Sequence, residues 1–331
     1  MSLQWSFSAD KLFRRCQRQF FFNEIAAHHA PKEAWRREAF VMKQLKTLDT
    51  WRGIVIHEGI QKYVVPTIQS GHPLDWAALV GQILERAKTQ WLFSKERRYR
   101  ESGIAKSRCE TYCALVPDEN GEGVSEEEFN TVCMEIRTAF KRLAGLPQLW
   151  EEIRRHRDCQ AEMRLWTDFD DVRINAQIDL FFQRSRGHPT IIDWKSYDVG
   201  GDSDAWLQTT LYGWMVWRCG RYDIRRPEDI KLLECQVQDG VIVEHACSHE
   251  VFEELEDHIY RSLNRIFSLC KSRKLSEAKL EDFAFTQNPN NCEYCTFREL
   301  CIQKSSAASA RPGTQPTSVR ASSAQPQPLS V

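Results

Sequence analysis

No stretch of the 331-residue sequence is apolar over the length a bilayer span requires. The opening Met1-Ser2-Leu3-Gln4-Trp5 lacks the layout of an export signal. Together these predict a soluble, cytoplasmic protein with no membrane partner. An excess of either charge is also missing. Lys and Arg number 45 against 46 Asp and Glu, a formal net charge of −1, which argues against a wholly basic nucleic-acid binder while leaving room for local basic patches. Arg14-Arg15-Cys16-Gln17-Arg18, Trp35-Arg36-Arg37 and Lys95-Glu96-Arg97-Arg98-Tyr99-Arg100 are such clusters, and each reads equally well as a solvated helix face. The Gly-x-x-x-x-Gly-Lys-Ser/Thr phosphate loop is absent, so no intrinsic ATP-driven motor is expected. Charged residues make up 27 % of the chain, mean hydropathy is −0.52, and the length suffices for a sizeable core and about two domains.

Cysteine is plentiful, with 12 residues. Without an export signal disulfides are not expected, and the question becomes which thiols hold metal. Cys109, Cys113, Cys133, Cys159, Cys219, Cys235, Cys247 and Cys270 are scattered and read as small buried hydrophobes. Cys292, Cys295 and Cys301 form Cys-x2-Cys-x5-Cys, a strong metal signal that still needs a fourth ligand. Four thiolates suit zinc or an iron–sulfur cluster.

The most informative stretch is Pro189-Thr190-Ile191-Ile192-Asp193-Trp194-Lys195-Ser196. Its β-branched residues predict a short covered strand. Alternation along that strand puts Asp193 and Lys195 on one side and Trp194 on the other. Upstream, Ile174, Ala176, Ile178, Leu180 and Phe182 share a parity, predicting a strand over 172–182 with Asp179 on the opposite face. Arg184-Ser185-Arg186-Gly187-His188-Pro189 is turn chemistry, so the two strands form a hairpin that brings Asp179 near Asp193. Two carboxylates and an ammonium then converge, a set of ligands suited to Mg²⁺ or Mn²⁺; taken alone, Asp193-x-Lys195 is equally an ordinary salt bridge. Downstream, Ala205–Trp217 reads as an amphipathic helix with Gln208 and Tyr212 on one face.

Asp179, the hydrophobic-Asp-x-Lys run ending in Asp193 and Lys195, and the Gln-x-x-x-Tyr of Gln208 and Tyr212 resemble the PD-(D/E)XK nuclease superfamily, in its RecB-like, CRISPR-adaptation-type iron–sulfur branch. The resemblance covers Ser6 to Cys301. It implies an α/β fold of restriction-endonuclease type, a mixed central sheet flanked by helices, with a helical insertion and an iron–sulfur staple joining the N- and C-terminal segments. Cys16 matches the family's first cluster cysteine, although Gln17 stands where the family usually has Pro. Cys16, Cys292, Cys295 and Cys301 would then hold a four-iron, four-sulfur cluster, with Zn²⁺ the alternative. Gly53-x-x-x-His57 looks like the family's helix-start element whose His enters the metal site, and an imidazole ligand tilts preference toward Mn²⁺. Glu162 either joins the metal site or pairs with an arginine.

By the same resemblance, Asp179, Asp193, the Trp194 carbonyl and His57 bind the metal, Lys195 orients the attacking water, and Gln208 and Tyr212 fix the strand or Lys195. The implied activity is phosphodiester hydrolysis of DNA at single strands or ends, as an exonuclease. A helicase or CRISPR-type protein is the implied partner, and repair or antiviral defence the implied setting. The alternative is a non-catalytic DNA-binding clamp subunit of a helicase-nuclease complex, against which the complete acid, acid, lysine set argues; a zinc-stapled nuclease for RNA is a third reading.

The remaining chain divides into a helical N-terminal part (1–60), a helical insertion (61–158), the nuclease core with the cysteine cluster (159–303) and a disordered tail (304–331). Ser8 is expected to cap a first helix carrying Leu12, Phe13, Cys16 and Phe20. Pro117–Gly123 reads as a loop, and Glu126-Glu127-Glu128 as a helix start. Gln160–Trp166, Lys231–Val237 and Val241–His245 read as strands, the last two around the turn Asp239-Gly240. Residues 248–275 read as a long helix capped by Ser248.

Overall fold

The computed structural model describes residues 4–28, 32–156, 158–196, 205–270 and 275–309. Its centre is a six-stranded mixed sheet of β1 (Gln4–Trp5), β2 (Gln160–Phe169), β3 (Val172–Ser185), β4 (His188–Lys195), β5 (Lys231–Gln236) and β6 (Val241–His245). The order is β1-β3-β4-β5-β6, with β2 on the free side of β3. β1 runs parallel to β3 and β4 parallel to β5, while the β2–β3, β3–β4 and β5–β6 pairs are antiparallel. The expected 172–182 and 189–196 hairpin is present, pairing Leu180 with Ile192 and Phe181 with Ile191. A mixed sheet with helices on both faces is the architecture expected from the sequence.

One face is covered by α1 (Phe7–Arg15), α7 (Ala205–Arg218) and α8 (His249–Leu269). Phe13, Leu211, Trp214, Leu255 and Ile259 share a core there with Ile174, Ile178 and Ile191. The other face carries α3 (Leu48–Gly59), α4 (Trp76–Lys95), α5 (Glu126–Ala144) and α6 (Pro147–Arg155). Their apolar faces meet Leu180, Phe182, Ile192 and Trp194, and Trp194 stacks on Trp150 at 5.9 Å. The remaining long helices, α2 (Ala34–Gln44) and α9 (Arg298–Ser309), lie toward the two ends of the chain.

Several local expectations change. Ser6, not Ser8, caps α1, accepting a hydrogen bond from the Ala9 amide at 3.2 Å. The first helix stops at Arg15. Cys16 is extended (φ −161°) and caps a new helical turn, Gln17–Phe20, so the cysteine sits at a break rather than on a continuous helix. Val116–Asn120 is a short helix rather than a loop, with Pro117 in its first turn, where a missing N–H is harmless, and Gly121 ending it at φ 82°. Ser125 closes a capping box with Glu128 and starts α5 where the acidic run suggested. Ser248 caps α8 as expected, but that helix ends at Leu269, and residues 271–274 lie outside the described residues. α9 continues past Lys304 to Ser309; the rest of the segment expected to be disordered, 310–331, also lies outside the described residues. Among the eight scattered cysteines, Cys109 and Cys219 are half-buried and the other six are buried.

The one departure that shapes the site concerns parity. Ile174 and Ile178 face the α7 core, whereas Leu180 and Phe182, of the same parity, face the α4 core. The partner strand does the same, since Ala161 packs toward the α4 core and Met163 toward the α7 core. Glu162 lies between them in the left-handed region at φ 56°. The ladder pairs Ala161 with Leu180 and Met163 with Ile178, and no pair is formed by Glu162 and Asp179 between them. The pleat therefore reverses on both strands at the level of these two acids.

Candidate active site

Three elements converge at this reversal. On β4, Ile192 and Trp194 point into the α4 core, which turns Asp193 and Lys195 toward α7. Both are nearly fully buried. Lys195 Nζ lies 2.5 Å from Asp193 Oδ2 and donates to Gln208 Oε1 at 2.6 Å. Gln208 Nε2 in turn donates to the Tyr212 hydroxyl at 2.7 Å and stands 3.5 Å from Asp193 Oδ1. Gln208 and Tyr212 thus share a face of α7, as their four-residue spacing requires. Burial, reinforced by the Asp193 and Asp179 carboxylates, pushes the Tyr212 phenol well above its ordinary value, so it stays neutral.

Asp179 crosses the hairpin, where its Oδ2 accepts the Trp194 amide at 2.8 Å. His57 Nδ1 stands 3.6 Å from the same oxygen. Among the described residues, ligand atoms of His57, Glu162 and Asp179 all lie within 4.8 Å of one another. Asp193 falls outside that group, and its carboxylate pairs with Lys195. Glu162, for which two readings were open, groups with His57 and Asp179. Its backbone turns left-handed there, and its carboxylate takes a hydrogen bond from Gln177. The sequence held a signal for this. Asp170-Asp171 are both left-handed, at φ 46° and 62°, the two central residues of a tight hairpin joining Phe169 to Val172. Counting back along both strands from that turn sets Glu162 opposite Asp179.

His57 comes from α3, where Gly53-x-x-x-His57 runs through the middle and end of the helix rather than its start. The glycine's role is visible. A Cβ at Gly53 would land on Ser196 Oγ, immediately after Lys195, so glycine here gives α3 room to lie against the end of β4 and carry His57 in.

The electrostatics fit a cation site. Burial pushes the Asp179 carboxyl well above the carboxylate range, and the nearby Asp193 and Glu162 charges add to this, against the Trp194 hydrogen bond and Lys195. Burial pushes the His57 imidazole below its ordinary value, although Asp193 and Glu162 pull it up, so its lone pair is free for a ligand. The group opens into a cavity of about 960 Å³ whose wall includes His57, Glu162, Asp179, Arg164 and Lys106. Oxygen donors with one imidazole are chemically suited to Mn²⁺ or Mg²⁺.

The four cysteines expected to form the second centre come from distant parts of the chain. Cys16 lies at the helix break. Cys292 is in a short turn (Asn290–Glu293), with Cys295 just after it and Cys301 on α9. The two segments touch: Arg18 Nε donates to the Phe283 carbonyl at 3.1 Å, Asn291 Nδ2 to the Arg15 carbonyl at 3.2 Å, and Phe22 stacks on Phe297 at 5.7 Å. Burial pushes the Cys295 thiol up to about 11, and the neighbouring sulfurs of Cys16, Cys301 and Cys292 add to the shift. Among the described residues, no three of these sulfurs fall within 4.8 Å of one another.

A mixed sheet presenting acid, acid and lysine beside a carboxylate–imidazole group defines a metal-dependent nuclease architecture. The family model for the PD-(D/E)XK nuclease superfamily matches residues 4–302, and the chain belongs to that superfamily. Its members are in general phosphodiesterases that use Mg²⁺ or Mn²⁺ on DNA. No curated protein matches the chain. Among the described residues no helix is long and apolar enough to cross a membrane.

Proposed function

We propose that this protein is a metal-dependent deoxyribonuclease acting on single strands or duplex ends. The observation that supports this best is the meeting of His57, Glu162 and Asp179 on the wall of one open cavity, directly beside the buried Asp193–Lys195 pair. Asp179, Glu162 and His57 would hold the ion, with Asp193 adjoining. When bound, it would supply Lewis-acid polarisation of the phosphate and acidify a water.

The chain's own groups do the rest. Lys195, steadied by Gln208 and Asp193, sets a positive charge where negative charge gathers on the phosphorus oxygens. Tyr212, held neutral by burial, fixes Gln208 and through it the ammonium. Asp193→Ala is expected to abolish cleavage of end-labelled DNA in Mn²⁺ or Mg²⁺ while leaving the circular dichroism spectrum unchanged. A variant that still cut would refute the site.

The cysteine quartet is proposed to carry a four-iron, four-sulfur cluster with a structural role. Four thiolates suit this cluster or zinc, and the contacts between the two segments bring the cysteine-bearing stretches together. Iron and sulfide in anaerobically purified protein would support the cluster, and stoichiometric zinc without iron would overturn it.

A further inference from the structure

Beyond the reversal at Glu162, β2 and β3 continue as a two-stranded ribbon. Met163 and Leu165 are buried on one side, while Arg164 and Trp166 alternate with them on the other. The register places Arg164 beside Gln177, Trp166 beside Asn175 and Asp168 beside Arg173. One ribbon face therefore leads outward from the acids in steps: Glu162, then Arg164 with Gln177, then Trp166 with Asn175. Arg164 and Gln177 line both the 960 Å³ cavity and a second one of about 440 Å³, whose wall also includes Trp166, Asn175, Gln208 and Tyr212. The two cavities meet the ribbon at these two residues.

Trp166 is 56 % exposed, an unusual state for so large an apolar ring. The Arg173 guanidinium covers it at 4.4 Å, and more than half of the residue remains accessible. A cation on one side and an open ring on the other suit a flat aromatic partner. Trp166 lies four residues from Glu162, about 13 Å along the strand, with Arg164 midway in the strand.

We propose that Trp166 is a base-stacking platform for a single-stranded polynucleotide. The strand would lie along the ribbon, its phosphate at Arg164 and an unpaired base a few nucleotides from the cut on the indole. A duplex keeps its bases inside the stack, whereas an open strand offers one to the ring. The proposal rests on the nuclease reading of the adjoining site and adds to it a specificity residue and the way that residue holds an open strand.

The test compares wild type, Trp166→Ala and Trp166→Phe on fluorescein-labelled single-stranded DNA and RNA, intact or with one abasic residue moved along the strand. Cleavage kinetics are measured with Mn²⁺, and binding by anisotropy in an Asp193→Ala background. Trp166→Ala is expected to raise KM and weaken binding by roughly 5- to 100-fold, the range for one stacked base, with kcat held and Trp166→Phe near wild type. An abasic residue at one register should cost the wild type a similar factor and cost Trp166→Ala nothing more. A loss of this form on either polynucleotide supports the platform. Unchanged KM and affinity on both, or a loss indifferent to the abasic register, overturns it. If no strand is cut yet Trp166→Ala binds more weakly, the nuclease reading fails and the platform stands.

Discussion

Burial holds the Asp179 carboxyl well above the carboxylate range, and the nearby Asp193 charge adds to that pressure, against Lys195. Asp179→Asn retains an oxygen to accept the Trp194 amide and removes one charge. In chelator, the variant should be more stable than wild type by about 1 kcal/mol, read from urea midpoints. Manganese should raise the wild-type midpoint and leave the variant's unmoved. A variant less stable than wild type in chelator would show that the acids are not in conflict. Glu162 is a similar case in the backbone, because a left-handed non-glycine residue costs of order 1–3 kcal/mol and persists where the surrounding structure over-determines it.

Gly53 is the point at which an element's position becomes catalytic geometry. Alanine there favours a helix by about 1 kcal/mol over glycine, yet its methyl would meet the Ser196 hydroxyl at the end of β4, which must shift to make room. Gly53→Ala should keep the wild-type melting temperature within a few degrees and lose about tenfold or more in kcat, since small displacements of reacting groups are costly. Full activity would mean that the strand end tolerates the shift. The β4 strand and the Gln208 helix were legible in the sequence because their signals are local, namely alternation in one and four-residue spacing in the other. The pleat reversal was not. Ile174 to Phe182 keep one parity on paper, and only the left-handed turn at Glu162 and the missing rung at Asp179 divide them between two cores. Ser6 was passed over for Ser8 because both are sound caps and only the packing of α1 decides between them. The break at Cys16 was hidden because Leu12, Phe13 and Phe20 keep helical spacing across it.

At the scale of the molecule, α1 and α8 are tied through one buried acid. Asp10 accepts hydrogen bonds from Ser262 Oγ at 2.5 Å and from Arg14 Nε at 2.9 Å, and His258 Nε2 lies 2.9 Å away; Trp5 Nε1 donates to Ser262 at 3.0 Å. Burial alone would push the Asp10 carboxyl up. The hydrogen bonds from His258 and Ser262, with the His258 and Arg14 charges, instead hold it below the usual range. A lowered folded value means that the unfolded chain binds the proton more readily, so the stabilisation is complete above the ordinary carboxylate value of about 3.9 and is lost as pH falls through the folded one. Asp10→Asn should therefore destabilise the fold at pH 7, and the gap from wild type should narrow as pH falls below about 4. A gap that stayed constant down to pH 3 would assign the loss to packing. None of this cross-chain wiring is visible in the sequence, because partners about 250 residues apart leave no local pattern.

The reversal shared by β2 and β3 also bears on how the chain finds its alignment. If either strand slipped by one residue, Glu162 or Asp179 would be driven into an oily layer and an isoleucine or leucine turned out to water. The same two acids that would grip the ion therefore serve as a registration mark during folding, and a chain that misassembles there forfeits its chemistry and its core in a single error.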